Sequence, residues 1–260
     1  MKQATATIIS NNEVMPGVYL IWLESPPIAS AAQPGQFIMV RCGEGFEHPL
    51  RRPLSIHQLA DGSKLAFLIN VVGKGTHWLA QCQVGDNIDL LGPLGNGYSI
   101  HLQSHKLLLL AGGIGIAPLC FLADEAIKRG HSVTLLRGTP TKHFYPDALL
   151  PSGLELVTTT EDGTAGKKGM VTDLLPDFAD WADQIFACGP TEMYRDMARR
   201  KQELKLEAKS IQVSLEVRMG CGRGICYGCT LKTKRGLKQV CQDGPVFDLD
   251  DILWDELNYF

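Results

Sequence analysis

Four cysteines, Cys221, Cys226, Cys229 and Cys241, stand in the stretch EVRMGCGRGICYGCTLKTKRGLKQVC with four, two and eleven residues between them. Three thiolates on one short loop and a fourth from a distant strand suit a 2Fe-2S cluster, in which each of two irons takes two thiolates. The bridging sulfides need hydrogen-bond donors. Gly220, Gly222, Gly224 and Gly228 let the backbone wind closely enough to turn its N–H groups inward. A structural zinc ion also accepts four thiolates, but zinc ribbons usually present two Cys-x-x-Cys knuckles. Only Cys226 and Cys229 form such a pair, so the spacing favours the cluster and leaves zinc as the competing metal.

Two further stretches carry chemistry of another kind. RRPLSI, Arg51 to Ile56, places a cation, a rigid proline and a hydroxyl in one short strand. The Arg52 guanidinium suits a pyrophosphate through paired charge-assisted hydrogen bonds, and Ser55 can donate to a flavin ring nitrogen. Arg52 and Ser55 point to opposite faces of an ideal strand, so one ligand reaches both only if the strand bends or the ligand wraps its edge. An Arg-Pro turn is also a common solvated corner. INVVGKGTHWL adds a glycine-rich turn, Gly73 to Thr76, opening a helix whose N–H groups can hold phosphate.

LLLLAGGIGIAPL sets Gly112, Gly113 and Gly115 directly after a buried strand and ahead of a helix. The phosphates of a dinucleotide would meet amide donors there, although the pattern is not G-x-G-x-x-G and a tight turn alone would explain it. FACGP, Phe186 to Pro190, ends another strand of the same sheet, and ligands bind at the carboxyl ends of such strands. Cys188 can border a nicotinamide there or simply be a small buried residue. No catalytic base is evident nearby.

The elements that must position these groups read as three units. Up to about residue 101, short β-like runs (ATATIISNNEV, VYLIWLES, QFIMVRC, LSIHQL, KLAFLINVV, NIDLLGPLG) separated by Gly, Pro, Asn and Asp turns predict a small antiparallel β-barrel. From 102 to 212, buried runs alternate with helical patterns, which predicts a parallel α/β sheet. The segment 213–260 carries the cysteines. The 260 residues hold 45% apolar and 20% charged residues with a net charge of −3, which gives no reason to expect nucleic acid. The longest apolar runs are broken by Gly and Pro and the N-terminus lacks the apolar core of a signal peptide, so a cytoplasmic protein without membrane insertion is expected. The seven histidines show no metal-ligand spacing. Glu216 and Arg218, beside the cysteine loop, read as surface residues. The tail DLDDILWDELNYF, with five acids beside Trp254, Tyr259 and Phe260, reads equally as a docking edge or a capping helix.

Flavin barrel, nicotinamide sheet and cysteine loop, in that order, resemble the ferredoxin-NADP reductase superfamily and, more closely, the electron transfer subunits of NAD-dependent bacterial dihydroorotate dehydrogenase. RRPLSI, GKGT, AGGIGIAPL, ACGP and above all MGCGRGICYGC followed by VCQDGPVF carry the resemblance, which runs over nearly the whole chain. It implies FAD on Arg52, Pro53, Leu54, Ser55, Ile69, Asn70, Val71, Gly75 and Thr76. It implies NAD near Gly112, Gly113, Gly115, Cys188, Gly189 and Pro190, and a 2Fe-2S cluster on Cys221, Cys226, Cys229 and Cys241. Leu54 departs from the tyrosine of the broader superfamily, which puts aromatic stacking on the flavin in doubt there. The implied partner is an FMN-containing dihydroorotate dehydrogenase catalytic subunit, in a heterotetramer of two catalytic and two electron transfer subunits. The implied role lies in pyrimidine biosynthesis. A diaphorase subunit of a hydrogenase, a sulfite reductase or a ferredoxin:NADP oxidoreductase is the first alternative. A non-enzymatic module with structural zinc is the second. Arg137 and Lys142 follow the second sheet strand and can meet a 2′-phosphate, so the residues leave NAD and NADP undecided.

Overall fold

The computed structural model describes residues 1–43, 45 and 48–257. The first unit contains β1 (Lys2–Met15), β2 (Val18–Glu24), α1 (Pro26–Ala29), β3 (Phe37–Val40), β4 (Arg52–Ser55), β5 (Gln58–Ala60), β6 (Lys64–Asn70), α2 (Lys74–Gln81) and β7 (Asn87–Leu94). Its strands form a seven-stranded antiparallel sheet in the order β4-β3-β7-β1-β2-β6-β5. Inward residues alternate along the strands, and Ile8, Ile21, Leu23, Ile38, Val40, Phe67 and Leu90 fill the interior. The sequence reads LSIHQL as one strand. Instead the chain leaves β4, crosses through Ile56 and His57 and begins β5 on the opposite edge. There the Ile56 N–H donates to Gln36 O at 3.1 Å and the His57 N–H to Ala66 O at 2.8 Å. The sheet therefore curls shut through two residues of chain rather than through a continuous ladder.

The second unit contains β8 (Lys106–Gly112), α3 (Ile116–Lys128), β9 (Ser132–Thr139), β10 (Glu155–Thr160), β11 (Lys167–Lys168), α4 (Leu175–Phe178), β12 (Gln184–Cys188), α5 (Thr191–Arg199) and β13 (Ser210–Ser214). β8 is apolar on both faces because helices cover both. Leu107, Leu109 and Ala111 pack in the core that contains α3. Leu108 and Leu110 pack in the core that contains Met193, Tyr194 and Met197 of α5. This two-sided burial is what a central parallel strand requires.

The cysteine segment adds β14 (Thr230–Thr233), β15 (Gly236–Gln239), α6 (Val240–Asp243) and β16 (Val246–Asp248). β14 and β15 make a separate hairpin, whereas β16 returns to the nucleotide sheet, whose order is β11-β10-β9-β8-β12-β13-β16. Ser214 pairs with Val246 there, and the position expected as a boundary, 212–213, lies inside β13. Buried residues of the cysteine segment (Met219, Cys229, Leu231, Val240, Cys241) share one core with Phe37, Met39 and Leu94 of the barrel. In the tail, Lys201 pairs with Asp250 at 2.5 Å, Arg235 with Asp251 at 3.2 Å, Arg199 with Asp255 at 3.0 Å and Lys232 with Glu256 at 2.8 Å. Its acids are thus held largely by the chain's own cations, and Trp254–Glu256 forms a short 3-10 turn. Tyr259 and Phe260 lie outside the described residues. Among the described residues, no helix is long and apolar enough to cross a membrane.

Candidate functional site

β4 is an edge strand, paired only with β3, with Arg52 opposite Val40 and Ser55 opposite Phe37. Its free side opens on a cavity of about 460 Å³ lined by Arg52, Pro53, Leu54, Ser55, Ile69, Asn70 and Thr76. Arg52 and Ser55 both reach this one cavity because it wraps the strand edge. Val71 and Gly75, also expected to hold the flavin, are not among the lining residues, although their chain neighbours Asn70, Val72 and Thr76 are. Val71 is held by its N–H to Gly17 O at 2.9 Å. Gly75 is required by contact, since a Cβ there would lie 2.8 Å from Arg52 Nε. Arg51 does not compete for the cavity, because its guanidinium is paired with Asp89 at 2.5 Å.

The Thr76 hydroxyl accepts the N–H groups of Val72 at 3.0 Å and Gly73 at 3.2 Å. This fixes the entry to α2 and places the helix N-terminus beneath Arg52. A cation, a hydroxyl, an amide and a helix N-terminus around apolar walls are the donor set that a flavin dinucleotide needs, so the residues fit FAD.

The opposite wall comes from Ile114, Ala117 and the stretch Ser214–Met219, which leaves the end of β13 and runs into the cysteine loop. Glu216 is exposed, as expected, and it lines this cavity and also a second one of about 230 Å³. The second cavity is bounded by Gly112, Gly113, Gly115, Gly189, Pro190, Thr191 and Tyr194. The two cavities therefore meet at Glu216. Desolvation by the surrounding cavity walls holds the Glu216 carboxyl above the ordinary carboxylate range, although the residue keeps an exposed surface. Its Oε1 lies 4.0 Å from Cys188 Sγ. Cys188 is itself fully buried, and burial followed by the nearby Glu216 pushes its thiol well up. It thus sits behind Gly189 and Pro190 as a neutral thiol.

The glycines of the turn are demanded by close approach. A Cβ on Gly115 would lie 2.1 Å from Cys188 O, and one on Gly112 would lie 2.7 Å from Pro190 Cδ. Gly113 adopts φ +55°, in the left-handed region. The turn after β8 thereby presses against the turn after β12, leaving amide groups between them at the carboxyl end of the sheet.

In the cysteine loop the thiols meet in pairs. Cys221 is within hydrogen-bonding reach of Cys226, and Cys229 of Cys241. Two irons with two thiolates each require this pairing. Among the described residues, no three Cys, His, Asp or Glu side chains converge on a single ion position. Backbone N–H groups already point at sulfur. Arg223 and Ile225 donate to Cys221 Sγ at 3.3 and 3.4 Å, and Gly224 donates to Cys241 Sγ at 3.2 Å. Desolvation raises the Cys221 pKa, but the N–H groups of Arg223, Cys226 and Ile225 outweigh it and bring the thiol down to about 6. Gly222 and Gly224 have φ of +67° and +73°. The fit to a 2Fe-2S cluster thus rests on paired thiols and a backbone wound to donate to them.

Several lining residues went unread. Ile114, Ala117, Leu215 and Val217 carry no signature beyond an apolar side chain. Glu216 and Arg218 gave the only hint, as charges next to a buried strand end. Arg137 does not face solvent. It is 2% exposed, lies 2.8 Å from Asp147, donates to Tyr145 O at 2.7 Å and stacks on Phe144.

Comparison with known proteins gives this geometry a family. Residues 216–253 match the iron-sulfur cluster binding domain of dihydroorotate dehydrogenase B. A dihydroorotate dehydrogenase B (NAD(+)) electron transfer subunit from Desulforamulus reducens is 37% identical, covering 96% of this chain and 98% of that protein. Its counterpart in Fusobacterium nucleatum is 35% identical over 97% of this chain and 99% of that protein. Among solved structures, that of an NADH-dependent reduced ferredoxin-NADP oxidoreductase, described for flavin-based electron bifurcation, superposes with a TM-score of 0.87 at 32% identity. It covers 98% of this chain and 91% of that one. A ferredoxin NADP+ reductase from Neisseria gonorrhoeae with bound FAD and NADP shares the fold, with a TM-score of 0.64 at 19% identity over 78% of this chain and 92% of that one. The curled flavin-type sheet, the parallel nucleotide sheet and the C-terminal cluster domain are thus one inherited arrangement, and the chain belongs to the family of electron transfer subunits of NAD(+)-dependent dihydroorotate dehydrogenase B.

Proposed function

We propose that this chain takes electrons from an FMN-containing subunit that oxidises dihydroorotate, and delivers them through the cysteine loop and the cavity at β4 to NAD+ at the glycine turn. When bound, the 2Fe-2S cluster supplies one-electron carriage and FAD supplies the conversion of two such electrons into a hydride. Everything else falls to the chain. Cys221, Cys226, Cys229 and Cys241 hold the cluster, and the N–H groups of residues 223–225 stabilise its negative charge. Arg52 neutralises the flavin pyrophosphate with the α2 N-terminus, while Ser55 and Asn70 orient the ring system. Gly112, Gly113, Gly115, Gly189 and Pro190 receive the dinucleotide, and Glu216 stands at the junction of the two cavities. No acid-base step on dihydroorotate is asked of these residues, since that chemistry belongs to the partner. The units 1–101, 102–212 and 213–260 then correspond to flavin, nicotinamide and cluster duties, within a cytoplasmic heterotetramer of two catalytic and two electron transfer subunits.

The observation that carries this reading is the stretch from Ser214 to Met219. It lines the flavin cavity and reaches the first cluster cysteine, Cys221, two residues later. The test is a complex reconstituted from this chain, loaded with FAD and cluster, and the dihydroorotate-oxidising subunit. Dihydroorotate-dependent reduction of NAD+ is expected, and its absence overturns the partner assignment. The likeness to the NADH-dependent reduced ferredoxin-NADP oxidoreductase supports one second reading, a diaphorase subunit of that kind. Reduction by this chain of NAD+ or NADP+ with reduced ferredoxin, and not with the dihydroorotate-oxidising subunit, would select it.

A further inference from the structure

His57 is fully buried at the place where the chain crosses from one edge of the curled sheet to the other, two residues after Ser55. Its backbone N–H is bound to Ala66 O at 2.8 Å. Its ring leaves the barrel altogether. Nδ1 lies 2.8 Å from Ala117 O in the first turn of α3, and Nε2 lies 2.9 Å from the Tyr145 hydroxyl on the segment after β9. A carbonyl can only accept, so Nδ1 carries the proton and the neutral ring accepts from Tyr145 at Nε2. Burial, which lowers the histidine pKa to about 4, favours the same neutral form. The Tyr145 ring meets the imidazole edge-on at 5.2 Å between centroids, and Tyr145 O in turn accepts from buried Arg137 at 2.7 Å.

Ala117 is two residues from Gly115 and itself lines the flavin cavity. Tyr145 and Arg137 line a third cavity, of about 160 Å³, together with Gly113, Ile114 and Asn70. One imidazole thus ties the flavin-side strand to the start of α3 and to the segment after β9. Its two hydrogen bonds are directional, whereas the apolar packing around them is not, so they fix the register between the two units.

We propose that His57 is a positioning residue that sets the nicotinamide turn against the flavin strand. It lines neither the cavity at β4 nor the one at the glycine turn, and acts through Ala117 O and the Tyr145 hydroxyl. The proposal rests on the reading of Arg52–Ser55 and Gly112–Gly115 as cofactor residues. Loss of either bond lets the turn shift while both cofactor sites persist. The signature is a loss in hydride transfer between NADH and FAD without an equal loss in binding.

Wild-type chain and the variants Tyr145→Phe, His57→Leu and His57→Asn, each loaded with FAD and cluster, are compared by anaerobic stopped-flow mixing with NADH. FAD content and the electron paramagnetic resonance signal of the reduced cluster are measured alongside. Tyr145→Phe is expected to slow flavin reduction about tenfold, and His57→Leu roughly a hundredfold, from a small misplacement of the reacting pair. The NADH dissociation constant stays within about twofold, and the long-wavelength absorbance of a stacked nicotinamide and flavin weakens in step with the rate. His57→Asn, which keeps a donor toward Ala117 O, recovers part of the rate. Wild-type rates and absorbance in FAD-loaded Tyr145→Phe and His57→Leu overturn the proposal. If His57→Leu does not fold, Tyr145→Phe, which removes a single oxygen atom, decides the matter. Failure of the underlying site reading is separately visible, as an Arg52→Ala variant that retains FAD like wild type or a wild-type chain whose flavin NADH does not reduce.

Discussion

The eight cysteines divide into two sets by their company, four scattered through the two larger units and four gathered in one segment. Cys42, Cys82, Cys120 and Cys188 are buried outside the cysteine segment, and burial raises every one of these thiols, Cys42 up to about 12 and Cys82 up to about 11. Cys221 lies in a loop whose backbone turns N–H groups toward it, and its thiol comes down to about 6, whereas its loop partner Cys241 is buried beside Cys229 and is pushed up to about 12. Burial keeps a thiol neutral as a small apolar group, while the amides converging on Cys221 outweigh its desolvation and prepare a thiolate for metal. The difference is made by the main chain, and glycines make that main chain possible.

The most severe test of this division is to remove one member of each set. Cys226→Ser is expected to abolish cluster iron and sulfide, and with them all partner-dependent NAD+ reduction, while FAD remains bound. Cys120→Ala is expected to retain full iron and to cost about 1 kcal/mol of stability in a denaturant titration. Iron loss in the second variant, or iron retention in the first, breaks the division. Next in size is the loop itself. Gly224→Ala would hold alanine at φ +73° with its Cβ 2.8 Å from Gln239 Oε1. The conformation alone costs about 1–2 kcal/mol, so iron content after purification falls although every cysteine is present. A fully loaded Gly224→Ala protein would show that the amides do not need this winding.

Gly115→Ala probes the turn beside a buried cysteine, where a Cβ would lie 2.1 Å from Cys188 O. Overpacking of this kind costs about 1–3 kcal/mol. It is expected to weaken NADH binding in a fluorescence titration and leave the iron content unchanged.

The smallest effect is alkaline. Unfolded thiols ionise near 9.0, whereas the folded values of Cys42 and Cys82 are about 12 and about 11. The stability they confer is complete below the unfolded pKa and is lost as pH rises toward the folded ones. Denaturation midpoints should fall as pH rises from about 9 toward about 11, and fall less in Cys42→Ala.

The cluster-binding segment was legible in the sequence because covalent ligation fixes residue type and spacing together, so Cys221, Cys226, Cys229 and Cys241 could be proposed as ligands without any fold. The two nucleotide turns were legible for a related reason, since close approach of backbones admits only glycine at positions such as 112 and 115. The cavity at β4, proposed for FAD, was legible on one wall alone. Arg52 and Ser55 announced themselves, but the opposite wall is assembled from residues near 114 and 216, whose side chains acquire meaning only when β8 and β13 lie in one sheet. The break at Ile56 and His57 was hidden for another reason. The alternation of LSIHQL is the same whether the strand continues or changes edge, and the outcome depends on Gln36 and Ala66, far away in sequence.

The return of β16 to the nucleotide sheet has a mechanical meaning. Because Ser214 pairs with Val246, and Asn96 of the barrel donates its N–H to Gly244 O at 2.6 Å, residues 215–245 form an excursion clamped at both ends. On the proposed electron path, the gap between the cysteine loop and the cavity at β4 is thereby written into hydrogen-bond register. A tethered module would let that gap fluctuate with its linker; here it is a fixed dimension of the sheet.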